Sequence, residues 1–209
     1  VYLNIIYKTI KINFMKKKIF ISCIFSMFAY TSMAQTPSGF GWAKKAGSTS
    51  TTDLGYSVTT DKDSNVIGSG YFKGTCDFGG QSLTSNGFKD GFTAKYDAKG
   101  ALIRAKKIGG VANDEAKSVA CDNAGNIFVT GYFQSSSLYF VPDTLTNAGG
   151  GYSDIFLVKY TPDGNVLWAK SAGGISPDGG WGVSTDQTGN VFVTGNFISS
   201  TITFGSYTL

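Results

Sequence analysis

Histidine is absent from all 209 residues. Its absence removes Ser-His-Asp and Cys-His nucleophilic systems and every histidine-ligated metal centre from this chain. Apart from one stretch near the start, no segment sustains the 3.6-residue apolar period of a helix. Neither a Walker loop nor a spaced GxGxxG occurs, and Gly149-Gly150-Gly151 has no helical pattern behind it, so it reads as a loop rather than a phosphate cradle. Acidic residues are missing from the first 34 positions, where Lys8, Lys11, Lys16, Lys17 and Lys18 stand. The formal net charge of +4 therefore resides in that front end, and the remainder is close to neutral. A near-neutral body argues against nucleic acid as a partner.

The front end has a logic of its own. From Met15 the chain reads MKKKIFISCIFSMFAYTSMAQ: three lysines, an apolar run from Ile19 to Tyr30, then Ser32-Met33-Ala34. Small residues at −3 and −1 suit signal peptidase, so residues 15–34 read as a signal peptide cleaved after Ala34, and residues 1–14 as translated upstream sequence. The apolar run is shorter than the ~18 to 20 residues a membrane span needs, and no span is expected in the mature chain. A secreted or cell-surface location follows as the expectation. Export would leave Cys76 and Cys121 as the only pair, and a disulfide between them is open in an oxidising compartment. The repeats described next set Cys76 against Leu138 and Ile202, and Cys121 against Thr60 and Thr185. Buried thiols are the simpler expectation.

Three phrases carry the architecture: DKDSNVIGSGYF at 61–72, DNAGNIFVTGYF at 122–133 and DQTGNVFVTGNF at 186–197. Around them, Trp42-Ala43-Lys44 aligns with Arg104-Ala105-Lys106 and Trp168-Ala169-Lys170, and Phe78 with Phe140 and Phe204. The units run 36–99, 100–163 and 164–209, the last incomplete. Each reads as β throughout. In the second, Ile127, Val129, Gly131 and Phe133 alternate with Phe128, Thr130 and Tyr132, and apolar character on both sides predicts a strand covered on both faces. The recurring Gly131 and Gly195 mark points where a backbone or a ring approaches closely, and Phe133 and Phe197 close the strands. Asp122, Gly125 and Asn126, like Asp186, Gly189 and Asn190, read as hairpin turns in which Gly and Asn tolerate positive φ. In the first copy, four strands are predicted at about 56–61, 65–72, 90–97 and 101–108, with CDFGGQSLTS a further short extended segment.

Repeated four-stranded antiparallel sheets buried on both faces are the blades of a β-propeller. The phrases KSVACDNAGNIFVTGYF, SDIFLVKYTPDGNVLWAKSAGG and WGVSTDQTGNVFVTGNF resemble the SBBP (β-propeller) repeat family of secreted bacterial proteins, over about residues 40–209. The first copy departs, with Ser64 in place of the turn glycine. The resemblance implies a secreted propeller and no single shared activity. A closed propeller needs at least about four blades, and fewer than three repeats are present. The expectation is an incomplete propeller from a longer protein whose further blades lie elsewhere.

Candidate chemistry is sparse. Asp61, Asp63 and Asn65 have the alternate spacing of oxygen ligands in calcium loops, against the competing reading of a turn capped by Asp61. No other cofactor is indicated. Asp90 and Asp154, with Lys95-Tyr96 and Lys159-Tyr160, could be proposed as a catalytic set, but residues repeated in every blade more often hold the blade together. Trp42 and Trp168 read as blade packing, and Lys44, Lys45, Lys106, Lys107 and Lys170 as solvated strand positions. The function expected is a non-enzymatic binding or adhesion scaffold for a protein or glycan ligand. The alternative is a secreted polysaccharide hydrolase or lyase using Asp114, Glu115, Asp143 and Asp178, expected in inter-strand loops near a central funnel.

Overall fold

The structure, a computed structural model, describes residues 41–48, 52–205 and 207–209. The leader expected at 15–34 and the segment 1–14 lie outside the described residues. The described chain is all β. β1 (Leu54–Thr60), β2 (Val66–Phe72), β5 (Asp90–Tyr96) and β6 (Leu102–Ile108) form one antiparallel sheet in the order β1-β2-β5-β6, and β3 (Thr75–Asp77) and β4 (Ser82–Thr84) form a separate small hairpin. The plan repeats with β7 (Asp114–Cys121), β8 (Ile127–Phe133), β11 (Asp154–Tyr160) and β12 (Val166–Ala172), and the hairpin β9 (Ser137–Phe140) and β10 (Asp143–Thr146). A third copy shows β13 (Asp178–Thr185) paired with β14 (Val191–Phe197), and the hairpin β15 (Thr203–Phe204) with β16 (Tyr207–Thr208). The four strands predicted for the first copy stand within two residues of the observed bounds. The short extended segment CDFGGQSLTS, between the second and third of them, resolves into the two-stranded hairpin β3-β4. The sheets run 54–108 and 114–172, so sequence repeat and sheet are offset in phase: the last strand of each sheet opens the next unit of the sequence.

β1, β7 and β13 lie side by side and are the innermost strands of successive sheets, with β6 and β12 outermost. Ser57 Oγ accepts the Val119 N–H at 3.3 Å, and Ser118 Oγ accepts the Val183 N–H at 3.1 Å. Apolar packing fills the space between sheets: Ile67 and Ile108 of the first sheet are buried with Ala116, Val119, Ile127 and Val129 of the second. The double-sided apolar pattern of β8 has its cause here, since neighbouring sheets cover both faces.

Each innermost strand carries a β-bulge at the same place. Pairing skips Tyr56 between Gly55 and Ser57, Lys117 between Ala116 and Ser118, and Trp181 between Gly180 and Gly182. Opposite each bulge stands the repeated strand glycine. A Cβ on Gly131 would meet the Glu115 carbonyl oxygen at 1.9 Å and the Phe156 ring at 2.9 Å, so backbone and ring both press on this position. The turns are equally uniform. The Asp122 N–H donates to the Asn126 carbonyl, the Gly125 N–H to the Asp122 carbonyl, and Asp122 Oδ1 and Oδ2 accept the backbone and side-chain N–H of Asn126, both at 2.8 Å. Asp186 and Asn190 repeat this arrangement. The left-handed residue is the glycine (Gly125, φ 83°; Gly189, φ 87°) or Ser64 (φ 61°), not the asparagine. Asn126 and Asn190 are retained for their side-chain bond to the aspartate, which corrects the expectation that they supply positive φ.

Candidate functional site

The antiparallel plan sends every connection to one of two ends. At one end lie β1–β2, β5–β6, β7–β8, β11–β12 and β13–β14, all tight turns closed by the same backbone bonds. At the other lie the longer, dissimilar segments 73–89 and 134–153, which carry the small hairpins, and the two five-residue links 109–113 and 173–177, held by the same aspartate and serine bonds. Phe88, Val111, Tyr152, Ile175 and Ile198 are exposed at that second end. Loops that differ on a uniform frame are where a rigid β scaffold carries function.

Three aspartates anchor this end. Asp114, the first residue of β7, accepts the Gly110, Gln134 and Ser135 N–H groups and the Ser135 hydroxyl between 2.6 and 3.1 Å. Asp178 does the same for Gly174, Ile198 and Ser199, and Asp53 holds Ser48 and the Lys73 N–H.

Beside Asp114 the innermost strands meet in a cluster around Glu115, whose side chain is 2% exposed. Glu115 accepts from Lys117 at 2.6 Å, Lys89 at 3.0 Å and the Tyr56 hydroxyl at 2.7 Å. Burial opposes ionisation of Glu115, but the donors from Lys117, Tyr56, Lys89 and Tyr132 outweigh it and hold the carboxyl at about 2. Burial and the neighbouring carboxylate push the Tyr56 and Tyr132 hydroxyls upward. The Lys117 ammonium lies 3.8 Å from the Tyr56 ring centre, 5.1 Å from Trp181 and 5.3 Å from Tyr132, and Lys89 lies 4.4 Å from Tyr71, all within cation–π range. Trp181 is 51% exposed and donates its indole N–H to Asn196. Tyr56, Lys117 and Trp181 are the three bulge residues. A bulge re-aims its side chain, so three sheets direct three different chemistries to one place. The cluster combines exposed aromatic area, one buried carboxylate and two ammonium groups.

The four acids of the hydrolase alternative are not in loops: Asp114 and Glu115 open β7, Asp143 opens β10 and Asp178 opens β13. Asp143 accepts the Ala169 N–H at 2.7 Å and ties its hairpin to β12. Glu115 alone belongs to the cluster, and it is ionised, whereas a general acid must keep its proton. Asp61 also has both oxygens engaged: Oδ1 accepts the Asp63 and Asn65 N–H groups, and Oδ2 accepts Asn65 Nδ2 at 2.9 Å and pairs with Lys95 at 2.8 Å. Burial opposes its ionisation, but Lys95 and Asn65 hold it at about 2. Asp63 pairs with Lys62 on the surface, and among the described residues no group of three or more acids and cysteines converges as metal ligands do. Lys159 faces Asp122 at 3.8 Å in the second sheet, so the Lys95 and Lys159 positions tie third strands to turns. Asp90 and Asp154 are buried, each with one oxygen bonded and Oδ1 without a hydrogen-bond partner. Trp42 packs on the first sheet's core and donates to the Ala98 carbonyl at 3.2 Å, and Trp168 lies against Phe128. Lys106, Lys107 and Lys170 lie on the outermost strands, far from the innermost bulges in strand order. Cys76 and Cys121 are free thiols, pushed up to about 12 and about 11 by burial, which leaves them unreactive.

Tyr56, Lys117 and Trp181 were not singled out by the sequence reading. Their signal was present: YSV, KSV and WGV align, and the first column varies while its frame repeats.

No family model matches the chain. It is 26% identical over 193 residues to an uncharacterized WD repeat-containing protein of Acanthamoeba polyphaga mimivirus, an alignment that covers 78% of this chain and 14% of that protein. The chain thus spans about one seventh of that relative's length. With its repeated four-stranded sheets, it is a propeller-like β-repeat domain distantly homologous to a WD repeat-containing protein.

Proposed function

We propose that this domain is a non-enzymatic binding module of an exported protein, acting at the cell surface or outside the cell and recognising a protein or glycan ligand with its variable-loop end. Three different residues, Tyr56, Lys117 and Trp181, converge from one repeated bulge position, and that observation carries the reading. Exposed aromatic faces beside fixed polar groups suit sugar rings and peptide side chains alike. The resemblance of residues 40–209 to the SBBP repeats of secreted bacterial proteins, and the leader pattern at 15–34, support the exported location. The same resemblance supports a longer parent protein with further blades.

Binding to glycan and peptide arrays tests the proposal. The expected result is a ligand whose binding falls at least tenfold in Trp181→Ala while the melting temperature holds, because this ring is half exposed. Turnover of a polysaccharide by the chain, or binding indifferent to Trp181, would overturn it.

A further inference from the structure

Where the outermost strand of the first sheet meets the second sheet and its small hairpin, a cavity of about 410 Å³ opens at the rim. Lys106 and Lys107 of β6, Tyr139 and Val141 of the β9–β10 hairpin, Tyr160 of β11 and Asn165 of the following turn line it. Both sheets at this seam have all four strands. Among the described residues no carboxylate borders the cavity.

The hydrogen-bond donors here are held in place yet unoccupied. The Arg104 and Lys106 stems pack over Gly164, and Arg104 fixes the seam by donating to the Pro162 carbonyl at 2.7 Å. Lys107 is committed to the Thr84 carbonyl and to Asn86, at 2.9 and 2.6 Å. The Lys106 ammonium, in contrast, has no ion pair or hydrogen bond among the described residues. Tyr160 is 3% exposed, and its hydroxyl also lacks a partner among them, whereas its first-sheet counterpart Tyr96 donates to the Phe78 carbonyl at 3.0 Å. Burial pushes the Tyr160 hydroxyl up, so it keeps its proton and remains a donor. Asn165 departs from its counterparts in the same sense. Asn126 and Asn190 bond an aspartate through their side-chain amides, but Thr161 stands at that place in this turn and accepts only the Asn165 backbone N–H. Ammonium, phenol and amide therefore line one acid-free cavity, beside a Tyr139 ring that is 78% exposed.

A peptide strand does not suit this place. The outward N–H and carbonyl of Ala105, on the β6 edge that borders the cavity, are both taken by the Gln81 side chain at 2.9 Å, which blocks main-chain pairing there. We propose that the seam is a binding site for an acidic sugar, a uronate residue of a polysaccharide, separate from the variable-loop end. Lys106 supplies the charge for the carboxylate, Tyr160 and Asn165 donate to sugar oxygens, and Tyr139 covers a ring face.

Trigalacturonate and its methyl ester, which keeps the rings and loses the charge, are titrated calorimetrically into the 209-residue chain. The acid is expected to bind one to one and the ester about tenfold more weakly, the loss of one charge-assisted contact. Lys106→Met should bring the acid down to the level of the ester. Tyr139→Ala should weaken both ligands, and Tyr160→Phe, which removes only the hydroxyl, should weaken the acid, each without lowering the melting temperature. Equal binding of acid and ester, no binding of the acid at millimolar concentration, indifference to Lys106→Met, or tighter binding of a tetraglutamate peptide would overturn the proposal. Trp181→Ala should leave the titration unchanged, so this site and the loop-end site fail separately; weaker binding in that variant would place the sugar at the loop end and overturn the seam.

Discussion

Gly131 has no freedom in this fold. A methyl group there would need the space of the Glu115 carbonyl oxygen, which belongs to backbone and cannot swing aside. Gly131→Ala is therefore expected to cost more than about 3 kcal/mol or prevent folding, read by urea denaturation. Glu115 is constrained by charge instead. Its folded carboxyl, at about 2, lies below the ~4.3 of an unfolded glutamate, so its stabilisation is complete above that value and lost as pH falls toward 2. Glu115→Gln should melt lower at pH 7 and converge with the parent in acid. Asp154 has the opposite sign: burial, with repulsion from Asp178, raises it to about 6. Its cost to stability is absent below ~3.9 and grows as pH rises through 6. Melting measured at pH 5 and pH 7 should accordingly show a smaller loss on the upward step in Asp154→Asn than in the parent.

At the scale of the element, strands and turns were legible because their causes are local. Alternation places β8, and the Asp122-Gly125-Asn126 turn carries its own hydrogen-bond donors and acceptors within five residues. The bulges were not legible, because a bulge is a relation between two strands. Nothing within YSV, KSV or WGV announces that the first residue lacks a partner; the glycine that permits it lies on the neighbouring strand, at Gly70, Gly131 or Gly195. The misplaced acids share this cause. Asp114 and Asp178 follow short polar links that resemble loops, yet each starts an innermost strand by satisfying amides about twenty residues away. The turns offer a direct test, since Ser64 adopts at φ 61° what Gly125 and Gly189 adopt without a side chain. Left-handed backbone costs an L-residue roughly 1–2 kcal/mol, partly offset by the entropy glycine loses on folding, so Ser64→Gly should stabilise the chain by about 0.5–1 kcal/mol in chemical denaturation.

Across the whole molecule the two ends of the sheets differ in what they tolerate. Gly-Ser inserted after Gly150 lengthens the irregular 134–153 segment where an added side chain meets open space, and loop closure rises only slowly with length. The same insertion after Asn123 breaks the bonds between Asp122 and Asn126. Melting should fall by no more than a few degrees in the first case and markedly further in the second. The repeated bulge extends this asymmetry to inheritance. Exchange of the first repeat unit for the second leaves the serine link, the strand glycine and the turn in place, and replaces one corner of the Tyr56, Lys117 and Trp181 triangle. Recombination can therefore alter that triangle one residue at a time without renegotiating the fold.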